Sequence, residues 1–146
     1  MIKQNKRNER ETELEINAFI SNVKYCIESG DCKISVKSEK KSEQNKDIEF
    51  TNKYTLGQLF PDENPADSMK RELIKLTKRN YIETLEDLDF PNRSKLRVFG
   101  KRYDADVYIK FRAELISKQA YGANMIFVLS FHYAQYPFDG DTFPYA

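Results

Sequence analysis

Residues 95–112 read KLRVFGKRYDADVYIKFR, and the alternation in this stretch decides the fold. Pro91-Asn92-Arg93 marks a turn, and after it the apolar period becomes two, the signature of strands. Lys95–Arg102 predicts one strand. Tyr103–Asp106 predicts a hairpin connection, though one without glycine. Val107–Leu115 predicts the next strand, and Ser117–Gly122 a loop. Met125–Tyr133 (MIFVLSFHY) is a long apolar run that suits a central strand buried on both faces. The expected sheet is therefore three-stranded, antiparallel and C-terminal, spanning residues 95–133. The segment after it, residues 134–146, carries Pro137, Pro144 and several aromatics and is expected to pack as an extended strap.

Side chains in a strand alternate between faces. Val107, Ile109 and Phe111 share one face, and Tyr108, Lys110 and Arg112 the other. The expected partners of the first set are Leu96 and Val98; those of the second are Arg97 and Lys101. Leu129 and Phe131 alternate with Ser130 and His132. With helices on the apolar face, the opposite face would gather Arg97, Lys101, Tyr108, Lys110, Arg112 and His132. Such a surface suits a phosphodiester: cations hold phosphate oxygens, and Tyr, His or Lys move protons. The same pattern also describes an ordinary solvated sheet face bearing Lys and Arg.

Upstream of the sheet the pattern is helical. Ile16, Phe19, Ile20, Val23, Cys26 and Ile27 recur at spacings of three and four, which predicts a helix over 13–30 with Gly30 as its stop. Lys33–Lys37 alternates as a short strand would. Lys40–Asp47 has no apolar residue and predicts a loop. Thr55–Phe60 predicts a short helical turn capped by Thr55. Between Pro65 and Leu85 two helices are expected, one capped by Asp67 or Ser68 and running to Leu76, the next over Lys78–Leu85 with Thr77 as its cap.

Composition bounds the function. The chain has 146 residues, 40% of them hydrophobic, which fits one domain with a real core. No stretch approaches a membrane span. The first twelve residues are polar and charged, without the apolar segment of a secretory signal, and predict a solvated arm in a cytoplasmic protein. Cys26 and Cys32 follow no metal spacing and are expected to be reduced thiols. The formal net charge is +1, so no strong global field draws the chain to nucleic acid. Charge is instead local. Tyr81–Phe90 carries four acids and no base, whereas Lys95–Arg112 carries six bases and two acids.

Three motifs in order add a resemblance. VFGK at Val98–Lys101, DVYIKF at Asp106–Phe111 and LSFHYAQYPF at Leu129–Phe138 resemble the core of the MqsR family of toxins from bacterial toxin–antitoxin pairs. FISNVKYCIESG at Phe19–Gly30 and LTKRNYI at Leu76–Ile82 precede them in the order the family shows. The resemblance implies an α+β, RelE-like fold with N-terminal helices on a small C-terminal antiparallel sheet. It also implies a cytoplasmic endoribonuclease that cleaves single-stranded mRNA without metal or cofactor and is silenced by a cognate antitoxin protein. Residue by residue, it makes Tyr108 a substrate-binding or proton-transferring group, Lys110 a phosphate contact and His132 the general acid or base. Arg97, Lys101 and Arg112 are added as substrate-binding residues by alternation rather than by motif. Glu83 departs from the pattern, standing where one branch of the family has a basic active-site residue. A carboxylate there suits a second reading: a non-catalytic protein on the same scaffold, from a mobile element, that grips a nuclease or another protein, as an anti-CRISPR protein does.

Overall fold

The computed structural model describes residues 6–37, 47–88, 90–114 and 124–146. Among them are three α-helices and a six-stranded sheet, a mixed α+β architecture. The strands are β1 (Lys6–Glu9), β2 (Cys32–Val36), β3 (Tyr81–Asp87), β4 (Leu96–Arg102), β5 (Asp106–Glu114) and β6 (Asn124–Tyr133). Their order across the sheet is β1-β3-β4-β5-β6-β2. All neighbours are antiparallel except β2, which runs parallel to β6.

Helix α1 (Glu13–Ser29) carries the chain from one sheet edge to the other. Thr12 and Glu15 form a reciprocal capping box at its start, and Gly30 ends it at φ 84°, a left-handed conformation that costs glycine little. Ile16, Ile20, Val23 and Cys26 form its buried stripe. Helices α2 (Asn52–Leu59) and α3 (Pro65–Leu73) bring the chain back to β3. The buried side chains of all three helices join Tyr81, Phe99, Val107, Ile109, Phe111, Ile126, Val128 and Phe131 in one core, so the helices cover a single face of the sheet. Cys26 and Cys32 are free and buried beside one another; burial, then the neighbouring Cys26, pushes the Cys32 thiol up to about 12, so it stays protonated.

One helix also stands in for a strand. β2 ends at Val36, and among the described residues no strand pairs with the outer edge of β6 beyond Val128. Asn52 donates to Leu129 O at 2.9 Å and accepts from Phe131 N at 3.0 Å, while Thr55 accepts from Tyr133 N at 2.9 Å. Both polar residues are fully buried at the start of α2, and they satisfy backbone groups that would otherwise be orphaned.

Several sequence expectations change. The sheet has six strands rather than three. Residues 6–9 form β1 rather than a free arm, and Arg10 and Glu11 tie the segment after it to the rest. The helix expected over Lys78–Leu85 is a 3-10 turn, Lys78–Asn80, followed by β3; Thr77 caps the turn as it would have capped a helix. Thr51, not Thr55, caps α2, and Asn64 caps α3, whose first residue is Pro65. The loops expected at Ser117–Gly122 and over residues 40–46 lie outside the described residues.

Candidate functional site

The β4–β5 hairpin sets which side chains meet. Arg102 pairs with Asp106, so the connection is the three residues Tyr103–Ala105, not four. An odd loop places residues of like parity on one face, and a one-residue change reverses every assignment. Leu96, Val98 and Gly100 therefore share a face with Tyr108, Lys110 and Arg112. Arg97 and Lys101 lie on the opposite, helix-covered side, facing Phe111 and Val107 across the hairpin. This corrects the expected cation cluster: two of its six members belong to the other side of the sheet.

There Arg97 is held firmly. Its guanidinium lies 4.3 Å from the Phe19 ring centroid and donates twice to Glu11, Nε to Oε2 at 3.0 Å and Nη2 to Oε1 at 3.1 Å. Burial alone would raise the Glu11 carboxyl; bonds from Arg97 and Thr84 outweigh it and hold the carboxyl below its ordinary range. Lys101 points toward the Tyr103 ring, its Nζ 5.4 Å from the centroid.

The remaining four do converge. Tyr108 pairs with His132 and Lys110 with Ser130, and Arg112 comes next in the row. The Tyr108 and His132 rings stack with centroids 5.4 Å apart and 19° between planes. His132 Nδ1 lies 3.0 Å from the Tyr133 carbonyl oxygen. A carbonyl only accepts, so Nδ1 is the donor in this contact and the ring orientation is fixed by it. Burial, then the Glu83 carboxylate, pushes the Tyr108 phenol up to about 12. It therefore stays protonated and is a proton donor, not an acceptor.

The face is not an open surface. Lys110, Arg112, Ser130 and His132 are each at most 9% exposed. They border, on the β5–β6 side, an apolar patch of Leu85, Leu96 and Val98, with Ile82, Tyr108 and Leu129 packed against it. Arg112 Nη2 reaches Asp87 Oδ2 at 3.4 Å, while its buried Nε has no hydrogen-bond partner among the described residues. The C-terminal strap lies on the same face. A Cβ at Gly100 would sit 2.7 Å from Phe138 Cε2 and 3.1 Å from Ile82 Cδ1, so the Phe138 ring rests on bare backbone beside Tyr108.

Alternation had set Ser130 beside His132, and the structure seats it across from Lys110; sequence reasoning missed the strap's seat on Gly100. A lone glycine inside a strand was the available signal, since it marks close approach of another group. The resemblance had set Glu83 at an active-site position, and the structure brings its carboxylate near Tyr108 from β3, a strand where a helix over Lys78–Leu85 was expected. Glu83 accepts from Asn8 Nδ2 at 3.1 Å. Among the described residues no cluster of His, Cys, Asp and Glu could hold a metal ion, and no helix is long and apolar enough to cross a membrane. No family model, no curated protein and no solved structure matches the chain.

Proposed function

We propose that the protein is an endoribonuclease toxin of RelE-like architecture that cleaves single-stranded mRNA without a metal and is neutralised by a cognate antitoxin. The observation that carries this reading is the stacked Tyr108–His132 pair with Lys110 and Arg112 in the same row. The chemistry divides among them. His132 Nε2 takes the proton of a ribose 2′-hydroxyl while the 2′-oxygen bonds to the adjacent phosphorus. Lys110 and Arg112 balance charge on the phosphorane oxygens. The bond from phosphorus to the 5′-oxygen then breaks, and the Tyr108 phenol protonates that leaving oxygen. The products are a 2′,3′-cyclic phosphate and a 5′-hydroxyl end. A phenol that stays protonated suits the acid's part, and an imidazole oriented through Nδ1 suits the base's.

The experiment incubates end-labelled single-stranded RNA with the protein in EDTA, beside His132→Ala and Tyr108→Phe. Cleavage by the parent with cyclic-phosphate ends is expected, falling about 100-fold or more in each variant, the usual weight of a general acid or base. Intact RNA with the parent overturns the reading.

A second reading has its own support. Lys110, Arg112 and His132 are nearly inaccessible, and Glu83 places negative charge beside Tyr108. Both features suit a non-catalytic binder of a nuclease or other protein on the same scaffold. Intact RNA together with capture of a protein target in a defined complex would favour it.

A further inference from the structure

A cleft of about 530 Å³ opens at the end of the sheet where β4, β5 and β6 meet α2. Its walls include Phe50, Tyr54 and Tyr133 and three carboxylates, Glu49, Asp104 and Asp106. Tyr54 and Tyr133 meet edge to face, centroids 6.2 Å apart at 62°, and form an aromatic corner. The charge in the cleft is only partly balanced. Arg102 Nη1 lies 3.2 Å from Asp106 Oδ1, and the other Asp106 oxygen accepts from Phe138 N, so Asp106 is committed within the fold. Asp104 accepts from Tyr133 OH at 2.9 Å, and among the described residues no cation pairs with either Asp104 or Glu49. A second hollow, lined by Asp47, Ile48, Glu49 and Tyr54, adjoins the first and shares Glu49 and Tyr54 with it. Ile48 is 75% exposed on that rim.

We infer that this paired cleft binds basic side chains, Lys or Arg, from an extended segment of a protein partner. An aromatic corner flanked by unneutralised carboxylates attracts ammonium and guanidinium groups through both the ring faces and Coulomb forces. The same carboxylates repel phosphate, so nucleic acid is a poor occupant. Two adjoining hollows favour a chain with successive basic side chains over one small amine, and the exposed Ile48 offers apolar contact between them. The inference stands apart from the ribonuclease reading, since the cleft is lined by none of Tyr108, Lys110, Arg112 and His132.

The test is fluorescence anisotropy of a fluorescein-labelled tetra-arginine peptide titrated with the full chain, with tetra-glutamate as the control probe. The double variant Glu49→Gln/Asp104→Asn is compared with Glu28→Gln/Asp31→Asn, which removes the same charge at exposed positions near the end of α1. Binding of tetra-arginine is expected to weaken about tenfold or more in the first variant and to change little in the second. Tyr54→Leu, on the exposed side of α2, is expected to weaken it as well. Melting curves matching the parent's verify that each variant is folded. Absence of binding overturns the inference, as does equal weakening in the two double variants, which would reduce the attraction to net charge.

Discussion

The two faces of the central sheet come from the same strands but are built on different terms. On the helix-covered face Phe99 stacks on Phe111 at 5.5 Å, and Phe19, Ile109 and Phe131 pack around them. On the other face Leu85, Leu96 and Val98 form a small apolar patch bordered by Tyr108, Lys110, Arg112, Ser130 and His132. The first arrangement is what burial alone would select. The second is not: withdrawing a Lys and an Arg from water costs several kcal/mol each before any partner is counted. Residues that break the rule of an apolar interior mark where a sequence serves something besides stability.

The largest expected effect tests that division. Phe99→Ala removes a fully buried ring from the helix side and is expected to cost about 3–5 kcal/mol in urea or thermal unfolding. Its sequence neighbour Val98, equally buried but on the other face, loses two methyl groups in Val98→Ala, for an expected cost of about 2 kcal/mol. Equal losses would mean that the two faces contribute alike, and the contrast drawn between them would fail.

Next in size is Arg97→Met. Arg97 and Glu11 form a two-pronged pair with side chains 17% and 12% exposed, and removal of one partner is expected to cost about 2–3 kcal/mol. The pair also has a pH signature. The Glu11 carboxyl is lowered in the folded state, so the unfolded chain binds more protons in mild acid. Stability from this group is present above its ordinary pKa of 4.5 and fades as pH falls through the depressed value. Melting temperature tracked from neutral pH into acid should fall less steeply in Arg97→Met than in the parent. RNA binding, if the ribonuclease reading holds, should not change, because Arg97 lies across the sheet from Tyr108. Loss of RNA binding without loss of stability would place Arg97 back in the site.

How far the sequence carried this picture depended on where the deciding information lay. The helix over 13–29 was legible because Ile16, Ile20, Val23 and Cys26 repeat at helical spacing and Gly30 stops them. Strands β4, β5 and β6 were legible from alternation or from an apolar run. The segment at Tyr81–Asp87 was not: Thr77 begins a capped turn that looks like a helix start, and only pairing with β4 and β1 makes a strand of residues 81–87. Likewise β1 is polar throughout, and its strand conformation comes from β3, a tertiary rather than a local cause. The site was half legible. Tyr108, Lys110, Arg112 and His132 emerge from alternation within β5 and β6. Arg97 and Lys101 required the parity of the hairpin loop, and Tyr103-Asp104-Ala105 carries no glycine to declare a three-residue turn.

The smallest expected effect is the most informative about the polar face. Arg112 is 4% exposed, its Nε lacks a partner among the described residues, and its contact with Asp87 is long at 3.4 Å. A buried guanidinium held this loosely recovers little of its desolvation cost. The paired substitution Arg112→Met/Asp87→Asn removes both charges while keeping a side chain of similar reach beside Leu96. Its unfolding free energy is expected to stay within about 1 kcal/mol of the parent, or to rise, as when apolar groups replace buried ion pairs. Under the ribonuclease reading the same variant should cleave RNA more slowly, since one of the two cations facing the phosphorane is gone. A loss of several kcal/mol would instead make the ion pair a structural clamp. The presence of Arg112 beside Lys110 would then need no explanation from RNA.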